Sequence, residues 1–172
     1  MVVQDKITVD WAVDTMKFLV EQTKELYTCN RPPGAAGAML VDVGNMDERV
    51  LVAGVMPPQG SPTCKEVGCE MVWETYEVPD ESAEFGGHCI RTIHAEQMLI
   101  ASAANYGIET NGMAMFSILK PCYQCSKLII AAGIKKIYYA GAAYDEERTR
   151  KILENAGVEC IHVDVGLEYG NV

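Results

Sequence analysis

The residues that most constrain this chain stand in two places, His94-Ala95-Glu96 and Pro121-Cys122-Tyr123-Gln124-Cys125. One imidazole and two thiolates give a metal such as zinc three protein ligands and leave a fourth coordination position open. A carboxylate two residues after the imidazole is placed to act as a general base beside that position. The two halves fall on different elements, so a compatible fold must bring two helix starts to one point. The rest of the chain reads as scaffold, lid or wall around that centre.

Apolar spacing supports such a fold. Val9, Ala12, Val13, Met16, Leu19, Val20 and Thr23 share one face of a predicted helix over 8–26, with Thr8 or Asp10 as its cap. Two short apolar runs, 37–43 and 49–55, are joined by Gly44-Asn45-Met46-Asp47-Glu48 and predict an antiparallel hairpin. The stretch 56–89 has little regular pattern and reads as a long loop. Cys64 and Cys69 near one end, with His88 and Cys89 at the other, suggest a brace.

A second helix is predicted over 92–105, beginning at the His-Ala-Glu motif. It has almost no polar face, which predicts burial on several sides, by the sheet and by another subunit. Then follow a strand (112–119), a helix (122–132) preceded by Pro121 and stopped by Gly133, a strand (135–140), a helix (146–156) and a strand (158–163). This alternation predicts an α/β fold, a three-layer α/β/α sandwich on a mixed sheet of about five strands. Residues 1–172 read as one domain without internal repeats. Cys122 and Cys125 would occupy the first turn of their helix, where the N-terminus favours thiolates. In a βαβ arrangement both helix starts lie at the carboxyl ends of parallel strands, so the half-motifs can meet.

The formal net charge of -10 and the absence of a Lys/Arg cluster argue against a polynucleotide partner, while leaving small anions possible. No apolar run is long enough for a bilayer, and the N-terminus lacks a signal-peptide pattern, so a cytoplasmic protein without a membrane partner is expected. Seven cysteines without an export signal read as metal ligands and buried thiols rather than disulfides. A structural zinc site usually has four protein ligands and needs no carboxylate beside the His, so the complete motif favours catalysis.

The order H-x-E, then P-C-x-x-C, resembles the signature of zinc deaminases. The likeness extends through Cys64-Lys65-Glu66-Val67-Gly68-Cys69, His88-Cys89-Ile90-Arg91-Thr92-Ile93-His94-Ala95-Glu96-Gln97 and Pro121-Cys122-Tyr123-Gln124-Cys125-Ser126-Lys127-Leu128-Ile129-Ile130. With Ala132-Gly133-Ile134-Lys135-Lys136-Ile137-Tyr138-Tyr139, residues 26–163 resemble the cytidine and deoxycytidylate deaminase superfamily, its dCMP deaminase branch in particular. The resemblance implies a cytidine deaminase-like fold and a zinc-dependent hydrolytic deaminase converting dCMP to dUMP and ammonia. It implies His94, Cys122 and Cys125 as zinc ligands and Glu96 as the proton shuttle. The Ala95 backbone would face the pyrimidine carbonyl, and Tyr144 would fall in the substrate wall.

Members of this branch often carry a second, structural zinc, form hexamers, and in some cases respond to deoxynucleoside triphosphates. The candidate second-site ligands are Cys29, Cys64 and His88, with Cys69 or Cys89 as a fourth; the alternative is buried reduced thiols beside a hydrogen-bonded His. Two positions depart from the branch. Gly54-Val55-Met56-Pro57 stands where it usually reads Gly-Tyr-Asn-Gly, and Met98 stands where it usually has Asn. Neither Met nor Pro side chains can replace an amide's hydrogen bonds. A second expectation is therefore deamination of another amino-substituted nucleobase or nucleoside. A third, of a different class, is a catalytically silent zinc or nucleotide-binding protein, against which Glu96 argues. Arg91 reads either as a phosphate contact or as an ion-pair partner; Cys160, His162, Tyr138 and Tyr139 read as packing or surface groups.

Overall fold

A five-stranded mixed sheet carries the architecture, in the order β2-β1-β5-β6-β7. The computed structural model describes residues 7–24, 26, 36–45, 49–72, 88–141 and 147–166. Helix α1 (Val9–Lys24) precedes strands β1 (Gly37–Val41) and β2 (Arg49–Gly54), followed by α2 (Cys64–Val67), β3 (Met71–Val72) and β4 (His88–Cys89). Then come α3 (Ala95–Tyr106), β5 (Ala114–Leu119), α4 (Tyr123–Ala131), β6 (Lys136–Gly141), α5 (Glu147–Asn155) and β7 (Glu159–His162).

β1 and β2 form the expected antiparallel hairpin, with Leu40 opposite Leu51. β1 also pairs antiparallel with β5, placing Met39 opposite Phe116, whereas β5, β6 and β7 run parallel. Because β2 and β5 are both antiparallel to β1, they point the same way. Their carboxyl ends therefore lie on one edge of the sheet.

Every residue of β1 is buried, as expected of a strand covered on both faces. On one face, Ala12, Met16 and Leu19 of α1 pack with Met39, Val41, Phe116, Ile118 and Tyr138. Phe116 stacks on Tyr138 with ring centroids 4.6 Å apart. On the other face, Leu99 of α3, Ile129 of α4 and Leu153 of α5 pack with Leu40, Met115 and Ile137. Burying each large apolar side chain contributes about 1.5–3 kcal/mol. The period-2 alternation of β5 sends Phe116 and Ile118 toward α1 but Met115 and Ser117 toward α3. A close approach couples α1 to the hairpin: a Cβ on Gly37 would lie 2.2 Å from Thr23 Cγ2.

The structure refines the sequence reading at three places. The stretch 56–72 is not patternless. Thr63 Oγ1 accepts from the Glu66 backbone N–H at 3.3 Å, and Glu66 Oε2 accepts from Thr63 N–H at 2.7 Å, a capping box that starts α2. The two-residue strands β3 and β4 then pair antiparallel, Met71 opposite Cys89. Second, α3 begins at Ala95 rather than at residue 92, because Ile93 is held extended by an antiparallel bridge to Met56. Third, α3 is covered on one side within the chain, where Leu99 and Ala103 are buried, while Ala101, Ala104 and Tyr106 on its outer side are exposed. Among the described residues no helix is long and apolar enough to cross a membrane.

Candidate active site

Both half-motifs are delivered by helix starts at the same sheet edge. β5 runs through Lys120 and Pro121 into Cys122, the N-cap of α4, with extended φ -70° and ψ 170°. Ser126 fixes that turn twice: its N–H and its Oγ donate to the Cys122 carbonyl at 2.9 and 3.0 Å. Cys125 follows in the first helical turn and is fully buried. His94 is the N-cap of α3, with φ -63° and ψ 150°, and its backbone N–H donates to Gln97 Oε1 at 3.3 Å. The preceding residue is tied to the end of β2, since Ile93 N–H donates to the Met56 carbonyl at 2.9 Å. α3 is thus reached from β2 through a loop and a bridge, and not from an adjacent parallel strand.

Three ligand atoms converge there. His94 Nδ1 lies 3.6 Å from Cys122 Sγ and 3.4 Å from Cys125 Sγ, and the two sulfurs are 3.5 Å apart. Zinc–nitrogen and zinc–sulfur bonds of about 2.0–2.3 Å in a tetrahedron require ligand separations of roughly 3.3–3.8 Å. The triangle therefore fits a tetrahedral ion with one position free of these three residues. Glu96 lies against it. The residue is only 7% exposed, with Oε1 accepting from Ser117 Oγ at 3.0 Å and Oε2 lying 3.7 Å from Cys125 Sγ.

The electrostatics of the cluster suit a cation-binding site. The hydrogen bond between Cys122 and Cys125 draws the Cys122 thiol down to about 3 against the opposing effect of burial, with His94 helping. The same contact pushes the Cys125 thiol up, and burial and the Glu96 charge add to it. Burial works against a charged His94, but the Cys122 hydrogen bond and the Glu96 and Cys122 charges outweigh it and raise its pKa. Burial is the main cause that raises the Glu96 carboxyl above its ordinary value; the His94 charge and the Ser117 hydrogen bond oppose the shift. A divalent cation would offset the negative charge that Cys122, Cys125 and Glu96 bring together here.

The family model for the cytidine and deoxycytidylate deaminase zinc-binding region matches residues 9–141. The chain belongs to this deaminase family. It is 32% identical over 139 residues to ComE operon protein 2 of Bacillus subtilis (strain 168), covering 80% of this chain and 64% of that protein. It is 41% identical over 73 residues to the deoxycytidylate deaminase of Enterobacteria phage T2, covering 41% of this chain and 38% of that one. The structure of dCMP deaminase from cyanophage S-TIM5 in complex with dCMP and dUMP superposes with a TM-score of 0.66 at 25% identity. That superposition covers 91% of this chain and 98% of the phage enzyme. The chain spans less than two thirds of the length of these two relatives.

For this deaminase-family chain, the remaining expected site residues divide into three groups. Cys64, Cys69 and Cys89 converge, with their sulfurs within 4.8 Å of one another, and form a second group able to hold a metal. Cys64 Sγ and Cys89 Sγ are 3.6 Å apart. Burial and the neighbouring Cys89 and Cys69 push the Cys64 thiol up to about 12. For Cys89, burial is outweighed by backbone hydrogen bonds at Glu70 and Arg91, which lower its pKa. Cys29, Tyr144 and the side chain of His88 lie outside the described residues.

Other candidates are placed more simply. Ala95 is buried at the first position of α3. Arg91 pairs with Glu70 at 3.0 Å, the ion-pair alternative of its two readings. His162 is exposed on β7, with its Nε2 at 2.9 Å from the Ala140 carbonyl. Ser117 is the site residue that the sequence reading missed. A serine between Phe116 and Ile118 carries no motif, and the available signal was its polar character within an otherwise apolar strand.

Proposed function

We propose that this chain is a zinc-dependent hydrolytic deaminase of a deoxycytidine nucleotide, with dCMP converted to dUMP and ammonia. One observation carries the reading: the buried carboxylate of Glu96 set against the triangle of His94, Cys122 and Cys125. A structural metal site has no use for a buried carboxylate that burial already strains toward its neutral form. The acid–base work of deamination does. The family membership and the phage enzyme's fold support the same reading.

His94, Cys122 and Cys125 would hold the ion. Zinc bound there supplies a water of lowered pKa. Glu96 would accept one proton of the water and pass it to the ring nitrogen beside the amino-bearing carbon, then carry the water's second proton to the departing amine. The oxygen of water thereby replaces the amino group and ammonia leaves, so no oxidant or reductant is needed. The Ala95 backbone, buried at the start of α3, would face the pyrimidine carbonyl. Tyr144 would close the substrate wall. We assign a second, structural metal to Cys64, Cys69 and Cys89, completed from Cys29 or His88. The exposed outer side of α3 would meet another copy in a homo-oligomer acting in the cytoplasm. Residues 1–172 would act as one domain.

A second reading, deamination of a different amino-substituted nucleobase or nucleoside, is favoured by Met56 and Met98. Met56 is bridged directly to the segment carrying His94, where its side chain offers no amide. Ammonia release from dCMP, dCTP, cytidine, deoxycytidine, guanine and adenosine by zinc-loaded protein separates the readings. Turnover of dCMP supports the first, and turnover of another compound alone supports the second. Silence on the whole panel refutes the enzyme reading.

A further inference from the structure

Ser117 stands where a strand residue should be apolar. It lies in the interior of β5 between Phe116 and Ile118, is 1% exposed, and faces α3. A buried hydroxyl without a partner costs about 1–3 kcal/mol, so its partner explains why it is tolerated there. That partner is Glu96 Oε1, at 3.0 Å. The terminal torsion of a glutamate is broad and nearly two-fold, so an untethered carboxylate has two equivalent oxygens and no fixed plane. The Ser117 bond breaks this equivalence. It occupies Oε1 and leaves Oε2 turned to the metal triangle, 3.7 Å from Cys125 Sγ. Once Cys125 serves as a thiolate ligand it has no proton to donate, and Ser117 is the side-chain donor that the carboxylate keeps.

We infer that Ser117 is a positioning residue that divides the labour of the Glu96 carboxylate. Oε1 is the anchored oxygen and Oε2 the one that carries the proton. The inference deepens the deaminase reading above and rests on it for its kinetic consequence, but the orientation of Glu96 can be read without turnover.

The experiment compares the parent with Ser117→Ala and Ser117→Thr, each zinc-loaded, for zinc content, melting temperature, kcat and KM, together with crystal structures of each. Removing a group that orients a catalytic carboxylate lowers kcat by about 10–100-fold, the range seen when supporting groups around metal sites are lost. KM and zinc content are expected to stay at parental values. Ser117→Thr, which keeps the hydroxyl, is expected to recover most of kcat, and the Glu96 carboxylate is expected to rotate in the Ala variant alone. A Ser117→Ala protein with kcat within twofold of the parent would overturn the inference. So would a loss of kcat that tracks loss of zinc, or a carboxylate that keeps its plane without the hydroxyl. If the parent itself turns over nothing on the panel, the deaminase reading fails, and the crystal comparison still decides whether Ser117 orients Glu96.

Discussion

Replacing Glu96 by Gln should cost the protein its chemistry and make its metal-free form more stable. The carboxyl is only 7% exposed, and burial is the main cause that raises its pKa above the ordinary 4.5. An acid with a raised pKa in the folded state binds its proton more tightly folded than unfolded. It contributes nothing unfavourable below its unfolded pKa, where both states are protonated. Stability is then lost as pH rises through the folded pKa, and the full penalty is present above it. Gln has the same shape and no charge, so it removes that penalty at neutral and alkaline pH and makes no difference in acid.

Leaving a buried polar or charged group poorly satisfied costs on the order of 1–3 kcal/mol, which sets the size of the gain. For a chain of this length each kcal/mol moves the melting temperature by roughly 2–4 °C. The same substitution removes the proposed proton carrier, for which general acid–base catalysis is worth about 10²–10⁴-fold. The assay is thermal unfolding of chelator-treated parent and Glu96→Gln as pH is raised from below to well above the ordinary carboxyl pKa, beside kcat of the zinc-loaded proteins. Equal melting temperatures at the alkaline end would refute the argument that burial strains this carboxylate. An undiminished kcat would refute its role in proton transfer.

Zinc binding at His94, Cys122 and Cys125, followed near pH 7 in a metal-free Cys64→Ser protein, should release the Cys125 proton, because both sulfurs must be thiolates in the complex and contact with Cys122 and burial push the Cys125 thiol up. Cys122 contributes none, its thiol being held at about 3; titration calorimetry in buffers of different ionisation enthalpy reads the count, and zero would contradict the assigned proton. Cys64→Ser should remove one metal ion per chain in elemental analysis while leaving the ion at His94, Cys122 and Cys125; unchanged metal content would remove the second site. Gly37→Ala should destabilise by about 1–3 kcal/mol through overpacking, since its Cβ would lie 2.2 Å from Thr23 Cγ2. Zinc content of the surviving fold should not change, and a neutral effect in denaturant unfolding would show that α1 yields at that contact.

The parts of this molecule legible in its sequence are those governed by local period or by ligand chemistry. The alternation of helices and strands after residue 92 is visible because each helix has its stop and each strand its apolar run, and the metal triangle because His94, Cys122 and Cys125 are chemically unlike their surroundings. The short helix at Cys64 was written in Thr63-Cys64-Lys65-Glu66, a capping box, but four residues give too little apolar period to separate a helix from a loop.

The start of α3 was shifted for a different reason. Helical spacing runs back to residue 92, and only the non-local bridge between Met56 and Ile93 keeps that segment extended. The bridge makes the N-cap position, rather than the helix interior, the place of His94. An N-cap residue has extended backbone angles, and its side chain leaves the helix end instead of its flank. The same is true of Cys122. Two of the three candidate ligands are therefore presented from caps at the common carboxyl edge of β2 and β5, while Cys125 and Glu96 come from first turns. Ser117 was illegible because its meaning is a single tertiary hydrogen bond. Strand period puts it on the α3 face, but only the packing of α3 against the sheet turns a serine in an apolar strand into the anchor of a carboxylate.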